Sequence, residues 1–416
     1  MKVGLLVIGS EVLEGKVADA NTRALAEFLA LHQLQLEMNL TVRDQELAIH
    51  QGLKFLLDRC DVVLTSGGLG PTKDDITKAA IGSFMDKAIV YSSEAHQVAE
   101  ANYARMSRHF PGKDHGYCWV PEGFISLNNS TGFAPGLFAQ YHDKFVLSGA
   151  GVPREFKSLL HDHFIPLLGP QLPQLYRHNF TAKTRRVPEE KIFSEIDPTL
   201  WEKLEDFGEV SSLPNLLGVD IGVSLNAGSL AELDQKKIKL TEIFEKSPVK
   251  DIIWQYGSLS LEEFIVKRAT ELKLTFGFAE SCTGGLCSHR ITSVSGSSAC
   301  FMGSVVSYDN SVKKNLLGVA EEVLTTLGPV SEKSALQMAQ GLRSKLKVDI
   351  AISITGIAGP SGGTVENPVG SFWVGKASSS SQAAEKFIYP GDRELLKNRF
   401  SQAALFTLLD EIEKFA

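Results

Sequence analysis

The sequence predicts an α/β protein with more than one domain, and three observations lead to that prediction. Its 416 residues exceed the roughly 100–200 residues of one ordinary domain. Strand-like and helix-like segments alternate from the start, the order that gives a parallel sheet covered by helices. The same alternation begins again near residue 256, after a stretch with a different pattern. We therefore expect an N-terminal α/β domain, a small α+β middle domain and a C-terminal α/β domain.

Composition and charge narrow the classes of function. The apolar fraction of 43% and the charged fraction of 22% are typical of globular proteins rather than disordered ones. A net charge of -7 with scattered Lys and Arg disfavours nucleic acid as a partner. No apolar stretch approaches the roughly 20 residues that cross a bilayer. Five cysteines without a C-x-x-C pair fit a reducing compartment. We expect a soluble, cytoplasmic protein.

The N-terminal domain, residues 1–168, is predicted from strands at 3–8, 36–42 and 61–65 and helices at about 19–31 and 45–57. Ligands in such folds bind at the carboxyl ends of the strands. Two polar loops follow strands there, Gly9-Ser10-Glu11 and a Gly-rich loop that ends in Asp74-Asp75. Adjacent carboxylates in place of a P-loop lysine suit a hard cation beside a phosphate. The alternative is an Asp pair that caps the next helix.

The middle domain is predicted at residues 174–250. Gly169-Pro170-Gln171-Leu172-Pro173 breaks the preceding helical pattern, because proline cannot continue a helix interior. A strand, a helix, further strands and a charged helix at about 231–246 follow, and nothing among them resembles catalytic chemistry. Ser260 and Glu263 have the spacing of a capping box, which predicts the first helix of a C-terminal domain at 256–416.

Hydroxyl, lysine and glycine residues of the C-terminal domain suggest a site. Residues 275–285 predict a strand, a turn and a helix N-terminus that could bind phosphate, although Ser281 or Thr283 could simply cap that helix. A hydroxyl becomes a nucleophile when a lysine of lowered pKa takes its proton, and Ser298, Tyr308 and Lys313 have this chemistry. The alternative is a turn serine, a strand tyrosine and a surface lysine.

Two further segments extend this candidate site. A buried strand runs into the glycine-rich segment 356–363, whose backbone N–H groups could approach an anion, although a flexible loop would have the same composition. Arg393 begins the last helix and suits a phosphate contact, although a solvated arginine is equally compatible. Cys282, with His289 on the same helix, is a rival nucleophile, but a buried thiol in a tight turn is usually inert.

The C-terminal domain contains eight short motifs, in chain order Ala279-Glu280-Ser281-Cys282-Thr283-Gly284-Gly285, Gly296-Ser297-Ser298, Tyr308-x-Asn310-x-x-Lys313, Leu316-Leu317-Gly318-Val319, Thr355-Gly356-Ile357-Ala358-Gly359-Pro360, Gly362-Gly363, Pro368-Val369-Gly370 and Gly391-Asp392-Arg393. In this order and spacing, the motifs closely resemble those of the nicotinamide-nucleotide amidase domain. The resemblance implies hydrolysis of nicotinamide mononucleotide to nicotinate mononucleotide and ammonia, with no cofactor or metal.

The same resemblance implies roles for single residues. Ser298 would be the nucleophile, Lys313 its base, and Tyr308 the group that relays or orients the proton. The substrate would be bound by Ser281, Thr283, Gly284, Thr355, Gly356 and Arg393. Of these, Arg393 would hold the 5′-phosphate, with Arg399 as the alternative.

The N-terminal loops contain four recognisable motifs, namely Gly9-x-Glu11-x-Leu13-x-Gly15, Asn21, Gly67-Gly68-Leu69-Gly70-Pro71-Thr72-x-Asp74-Asp75-x-Thr77 and Gly151-Val152-Pro153-x-Glu155. These motifs resemble those of the CinA (competence/damage-inducible) family, whose first domain is akin to the three-layer α/β/α molybdopterin-binding fold. The resemblance implies hydrolysis of ADP-ribose to AMP and ribose 5-phosphate with Mg²⁺, Mn²⁺ or Co²⁺ held by Asp74, Asp75 and Glu11. It also implies a homodimer. Ser10 departs from the Asp frequent in relatives, and residues 148–151 depart from Leu-Pro-Gly.

We therefore expect a two-activity enzyme of pyridine-nucleotide salvage, whose partners are the small molecules nicotinamide mononucleotide and ADP-ribose. One competing hypothesis is a molybdopterin-binding or transferring protein, which leaves the C-terminal motifs unexplained. Another is a non-catalytic scaffold in DNA uptake, which the acidic balance disfavours. Fold alone does not decide among them, because one fold hosts many functions.

Overall fold

The structure, a computed structural model, describes residues 1–72, 74–169 and 176–416. It divides into two compact units, residues 1–178 with 225–236, and residues 179–224 with 237–416. The predicted α/β fold class is confirmed. The domain boundaries 1–168, 174–250 and 256–416 stay a prediction, and residues 170–173 of the predicted break lie outside the described residues. Among the described helices, none is both long enough and apolar enough to span a bilayer.

Residues 1–168 form alternating strands and helices around one main sheet. In chain order these are β1 Val3–Ile8, α1 Ser10–Leu13, α2 Asn21–Leu31, β2 Leu36–Val42, α3 Glu46–Leu57, β3 Val62–Ser66, α4 Thr77–Phe84, β4 Ile89–Tyr91, α5 Ser93–Arg105, β5 Trp119–Pro121, β6 Ile125–Leu127, β7 Gly136–Tyr141, β8 Lys144–Gly149, α6 Pro153–Leu159 and α7 Ile165–Leu168.

The main sheet has the order β2-β1-β3-β8-β7-β6. Strands β2, β1, β3 and β8 are parallel, and β1 and β3 are buried along their whole length, as expected for strands covered on both faces. Their carboxyl ends therefore meet at one edge. Gly67 leaves β3 there with φ +111°, and a Cβ would lie 2.1 Å from the Ile8 carbonyl oxygen, so a side chain is excluded.

A second, smaller sheet follows at residues 176–256. Its elements are β9 Tyr176–Thr184, α8 Glu189–Lys191, α9 Leu200–Glu205, β10 Gly208–Asn215, β11 Gly218–Ala227, α10 Leu230–Lys246 and β12 Ile253–Tyr256. The strand order is β10-β11-β9-β12. The charged helix predicted at 231–246 is confirmed as α10.

The C-terminal residues form a third sheet with helices on both sides. Its elements are α11 Leu261–Glu271, β13 Phe276–Glu280, α12 Leu286–Thr292, β14 Phe301–Val306, α13 Asn310–Leu317, α14 Glu332–Leu346, β15 Ile350–Gly356, β16 Ser371–Ala377, β17 Gln382–Ile388 and α15 Arg393–Ile412. The order is β14-β13-β15-β16-β17. The predicted capping box is confirmed, since Ser260 Oγ accepts from the Glu263 N–H and the Glu263 carboxylate accepts from the Ser260 N–H.

Three parallel strands of this sheet, β14, β13 and β15, bring their following residues to one edge. The backbone ladder continues past the strand ends, because the Ser307 N–H donates to the Glu280 carbonyl (2.7 Å) and the Ser281 N–H donates to the Ile354 carbonyl (2.9 Å). Ser281, Ser307 and Thr355 are thereby held side by side at the edge where ligands bind in open α/β sheets.

Candidate active site

A buried lysine and a serine are in contact at this edge. Lys313 is 2% exposed, and its Nζ atom lies 3.2 Å from Ser281 Oγ, 2.9 Å from the Ser307 carbonyl and 3.4 Å from the Tyr308 carbonyl. The lysine sits on α13, which begins where Asp309 accepts a hydrogen bond from the Ser311 N–H. Burial lowers the pKa of Lys313, opposed in part by Cys282 and Asp309. The serine therefore faces an amine that loses its proton more readily than an exposed lysine does.

The Ser281–Lys313 contact opens onto a cavity of about 200 Å³. Its polar lining consists of Ser281, Tyr308, Asn310, Lys313, Thr355 and Arg393, and the rest of the lining of Cys282, Pro329, Val330, Gly356 and Ala358. Among the described residues, the lining of this cavity includes Arg393, which is charged at every pH, and no Asp or Glu, which favours an anionic ligand. Pockets that hold a whole drug-sized ligand usually measure about 300–1,000 Å³, so this one can enclose only part of a nucleotide.

Arg393 stands at the mouth of the cavity, at the first residue of α15. The helix begins at Asp392, whose carboxylate accepts from the Leu395 N–H (2.9 Å). Arg393 Nη1 donates to the Gly359 carbonyl (2.7 Å), and Nη2 lies 3.3 Å from the Tyr308 hydroxyl. Both partners are neutral, and no carboxylate of the described residues lies within ion-pair distance of Arg393. Its charge is therefore available to a bound anion.

The structure brings together most of the residues predicted for this site. Ser281, Tyr308, Lys313, Thr355, Gly356 and Arg393 line the same cavity. Thr355 Oγ1 donates to the Pro329 carbonyl (2.8 Å), which fixes the opposite wall. Thr283 is buried and Gly284 is exposed, and neither lines the cavity. Arg399, the alternative to Arg393, donates to the Pro390 carbonyl and does not line the cavity either.

The prediction that Ser298 pairs with Lys313 does not agree with the structure. Ser298 is exposed in a short helical turn, Ser297–Ala299, which precedes β14, whereas Lys313 follows β14. At roughly 3.3 Å per residue, a six-residue strand separates its two ends by about 20 Å. Ser298 therefore lies at the amino edge of the sheet, and Ser281 is the hydroxyl that meets the lysine at the carboxyl edge.

The Tyr308 side chain is also placed differently from the predicted proton relay. Its hydroxyl contacts Arg393, while its backbone carbonyl accepts from Lys313. Tyr308 as a whole is 63% exposed. Tyr308 thus supports Lys313 through its backbone and Arg393 through its phenol, rather than joining the hydroxyl to the amine.

The helix N-terminus predicted as a phosphate site is already occupied. The buried carboxylate of Glu280, at the end of β13, accepts from the N–H groups of Gly285 (3.0 Å), Cys287 (3.1 Å) and Ser288 (3.0 Å). These are the donors with which α12 would have bound an anion. We did not predict this role for Glu280. Its signal in the sequence is a carboxylate directly after four residues of a buried strand.

The rival nucleophile Cys282 is a poor candidate in this structure. Its side chain is buried, and burial raises the pKa of the thiol to about 12. His289, which would activate it, is exposed. The thiol form is therefore the stable one near neutral pH, and the thiolate is the reactive form.

The N-terminal unit has its own cavity, of about 790 Å³, at the carboxyl edge of the main sheet. Six carboxylate residues line it, namely Glu11, Glu14, Asp44, Asp74, Asp75 and Glu155, together with Lys16, Tyr117 and the Gly67–Gly70 loop. The predicted metal residues Glu11, Asp74 and Asp75 thus share one cavity. Neither aspartate caps α4, which lacks a side-chain cap. Asp75 instead accepts from the Thr72 N–H (2.9 Å).

Glycines shape this cavity around its carboxylates. A Cβ on Gly70 would lie 2.2 Å from Asp75 Oδ2, and a Cβ on Gly9 would lie 2.8 Å from Glu11 Oε1. At position 10, where a carboxylate was expected by resemblance, the Ser10 N–H donates to the carboxylate of Asp44 (2.8 Å). Asp44, Glu14 and Glu155 were not predicted as lining residues. They come from three separate segments, the loop between β2 and α3, the end of α1 and the first turn of α6.

The carboxylates suit a divalent ion that is shared with a phosphate-bearing ligand. Among the described residues, no group of three or more His, Cys, Asp or Glu is arranged to hold a metal ion by itself. Mg²⁺ is usually held by one or two carboxylates together with substrate phosphates and water, rather than by a cage of protein ligands. Asp74 and Asp75, next to the glycine loop, have the chemistry for that partial role.

Comparison with known proteins agrees with this architecture. Residues 4–170 match the family described as a probable molybdopterin binding domain, and residues 258–412 match the CinA C-terminal domain. A CinA-like protein of Chloroherpeton thalassium is 35% identical, over 97% of this chain and 98% of its own length. A CinA-like protein of Salinibacter ruber is 34% identical, over 97% and 98%.

Solved structures also match part of this chain. A competence/damage inducible protein from Agrobacterium tumefaciens is 36% identical, with 37% of this chain and 98% of that chain covered and a TM-score of 0.35. The full-length relatives decide the assignment, because their similarity extends over both matched domains. The chain therefore belongs to the CinA family, with a molybdopterin-binding-like N-terminal domain and a CinA C-terminal domain.

Proposed function

We propose that the C-terminal unit hydrolyses the carboxamide of nicotinamide mononucleotide to nicotinate mononucleotide and ammonia, with Ser281 as nucleophile and Lys313 as base. The observation that carries the proposal is the 3.2 Å contact between Lys313 Nζ and Ser281 Oγ in a cavity that Arg393 also lines. Membership of the CinA family is consistent with a hydrolase-type enzyme.

The surroundings of Lys313 suit a neutral amine that acts as a base. In that form its two N–H bonds donate to the carbonyls of Ser307 and Tyr308, and its lone pair faces the Ser281 hydroxyl. Lys313 takes the hydroxyl proton as Ser281 Oγ forms a bond to the carboxamide carbon. The resulting ammonium remains 3.2 Å from the reacting oxygen.

The second half of the reaction uses the same pair. Lys313 returns the proton to the amide nitrogen, so that the C–N bond breaks, ammonia leaves and an ester to Ser281 remains. A water molecule then gives a proton to Lys313 and adds to the ester carbon. The ester bond breaks, the proton returns to Ser281 Oγ, and nicotinate mononucleotide is released. Each proton taken by the lysine is given back, and no metal or redox cofactor enters the balance.

The shape and charge of the cavity fit the parts of this substrate. Pro329, Val330 and Ala358 offer an apolar wall for the pyridine ring. The small volume leaves the ribose and the phosphate near the mouth, where Arg393 can contact the phosphate in bidentate fashion. Charged hydrogen bonds of this kind contribute about 1.5–3 kcal/mol, so a substrate without phosphate should bind roughly 10–100-fold more weakly.

Chromatography of the products of nicotinamide mononucleotide, with EDTA present, tests the proposal. Formation of nicotinate mononucleotide and ammonia in equal amounts supports it. Free nicotinamide should be a poorer substrate by at least about 10-fold in kcat/KM, because it lacks the phosphate. An unchanged substrate, or cleavage of the glycosidic bond instead of the amide, would contradict it.

We further propose that the N-terminal unit hydrolyses ADP-ribose to AMP and ribose 5-phosphate with a divalent metal ion. The support is the larger cavity, in which carboxylates stand beside a glycine loop. When bound, the ion would neutralise charge on the diphosphate. Asp74 and Asp75 would hold it, and the absence of side chains at Gly67 and Gly70 would let the backbone approach the phosphates. Both proposed substrates are products of NAD turnover.

ADP-ribose that stays intact with Mg²⁺, Mn²⁺ and Co²⁺ in turn would contradict this second activity. A molybdopterin-binding role would then become the better account of the N-terminal unit. A scaffold role would require hydrolysis of neither nicotinamide mononucleotide nor ADP-ribose. It would leave the buried Ser281–Lys313 pair without a use.

A further inference from the structure

Glu280 is a fully buried carboxylate next to the proposed nucleophile. Its Oε2 atom accepts from the N–H groups of Gly285 and Cys287, and its Oε1 atom accepts from the N–H (3.0 Å) and the hydroxyl (2.6 Å) of Ser288. No Lys, Arg or His of the described residues lies within ion-pair distance of it. The carboxylate is therefore held by four hydrogen bonds that all come from the turn and first residues of α12.

A buried charge without an ion partner is costly, and its position here needs a reason. The helix N-terminus supplies partial positive charge and donors that offset the cost. The neighbours of Glu280 along β13, Phe278 and Ala279, are apolar and buried, as is usual for a covered strand. A carboxylate in this place links the end of the strand to the start of the helix across the five-residue turn 281–285.

We propose that Glu280 is a positioning residue for the proposed amidase reaction. Its side chain holds the Ser281–Gly285 turn in place, so that Ser281 Oγ stays within hydrogen-bond distance of Lys313 Nζ. The main chain at this point is fixed on both sides, since the Glu280 carbonyl accepts from Ser307 and the Ser281 N–H donates to Ile354. The far end of the turn is fixed by the Glu280 carboxylate. Gly284 and Gly285, with φ of +63° and +96°, make the turn tight enough for the carboxylate to reach.

Glu280→Gln tests this role with almost no change in shape. The amide oxygen can still accept two hydrogen bonds, but the amide nitrogen is a donor and cannot replace the second oxygen. One pair of hydrogen bonds therefore loses its acceptor, either the two from the N–H groups of Gly285 and Cys287 or the two from the N–H and hydroxyl of Ser288. We expect kcat for nicotinamide mononucleotide to fall about 10–100-fold and KM to change less than about threefold, because Arg393 is untouched.

Glu411→Gln is the matched control for the loss of a buried carboxylate. Glu411 is also fully buried, and it binds Lys376, Lys414 and Ser378. Lys376 pairs with Ile352 of β15, several residues from the carboxyl end where the cavity lies. The Glu411 variant should lose stability but keep kcat within about twofold. Equal losses of kcat in both variants would show that Glu280 acts through general stability, and would overturn the proposal.

Labelling of Ser281 by a fluorophosphonate, followed by mass spectrometry, separates this proposal from the proposed reaction. We expect wild type and Glu411→Gln to be labelled at equal rates and Glu280→Gln to be labelled at least about tenfold more slowly. Labelled wild-type protein that leaves nicotinamide mononucleotide intact would contradict the amidase reaction alone. Equal labelling of the Glu280 variant, or wild type without label on Ser281, would overturn the positioning role.

Discussion

Lys313 Nζ lies 3.2 Å from Ser281 Oγ, although 32 residues separate them in the chain. The two residues meet because β13 and β14 are neighbouring parallel strands, so that the residues after each strand arrive at the same edge. Ser281 follows β13, and Lys313 lies in the helix after β14. The topology thus brings two residues from distant sequence motifs together as the proposed nucleophile and base.

The pH dependence of kcat/KM should reveal the lowered pKa of Lys313. The base acts when neutral, so activity should rise with pH through its pKa. Because burial lowers that pKa from the ordinary value of 10.5, the rising limb should lie below pH 10.5. Lys313→Arg should be inactive at every pH, since a guanidinium does not lose its proton. A limb centred at or above 10.5, or an active Arg variant, would exclude Lys313 as the base.

Arg393→Ala should weaken binding of the phosphate. We expect KM for nicotinamide mononucleotide to rise roughly 10–100-fold, from the loss of about 1.5–3 kcal/mol of charged hydrogen bonds, with kcat changed far less. Nicotinamide riboside, which has no phosphate, should be turned over equally by variant and wild type. Arg399→Lys is the control, because Arg399 does not line the cavity. Equal effects on both substrates would argue against a phosphate contact.

Gly341→Ala should destabilise the C-terminal unit and disturb Lys313. A Cβ at position 341 of α14 would lie 1.8 Å from the Leu317 carbonyl oxygen at the end of α13, the helix that carries Lys313. Alanine is favoured over glycine in a helix by about 1 kcal/mol, whereas overpacking costs about 1–3 kcal/mol, and here the clash is with backbone. We expect a net loss of about 1–2 kcal/mol in the free energy of unfolding.

Chemical denaturation measures the effect of Gly341→Ala, and Ser344→Ala on the exposed face of the same helix is the control. The control should stay within about 0.5 kcal/mol of wild type, as surface substitutions usually do. If Gly341→Ala were as stable as wild type with full ammonia release, the close approach of α13 and α14 would not matter for the site.

Gly70→Ala separates the two proposed activities. Its Cβ would lie 2.2 Å from Asp75 Oδ2, at the end of a side chain that can move, so the fold should survive while the carboxylate is displaced. We expect ADP-ribose hydrolysis to fall at least about tenfold, with ammonia release from nicotinamide mononucleotide unchanged. Gly228→Ala, whose Cβ would have no neighbour closer than 3.6 Å, should change neither. Full ADP-ribose hydrolysis by Gly70→Ala would show that the position of Asp75 does not matter for this activity.

Local patterns were sufficient to predict the backbone elements. The strands predicted at 3–8 and 36–42 have these bounds in the structure, and the predicted helices begin or end within about two residues of the observed ones. Continuous apolar runs and glycine turns are short-range features, and a sequence displays them directly.

Contacts between side chains were harder to predict, because they depend on which strand ends lie at the same edge of the sheet. Ser281 and Ser298 have the same chemistry, but Ser281 follows a strand and Ser298 precedes one. The preference of ligands for carboxyl ends therefore favours Ser281. The contact of Glu280 with α12 and that of Asp44 with Ser10 have no such rule, since each depends on the exact path of a loop.

Ammonia release from nicotinamide mononucleotide by wild type, Ser281→Ala and Ser298→Ala, with EDTA present, shows which serine is the nucleophile. We expect release by wild type, a loss of at least about 10³-fold in kcat for Ser281→Ala, and a rate within about twofold of wild type for Ser298→Ala. Circular dichroism should show all three proteins folded. Full activity of Ser281→Ala, or loss of activity in Ser298→Ala alone, would contradict the Ser281–Lys313 pair as the catalytic centre.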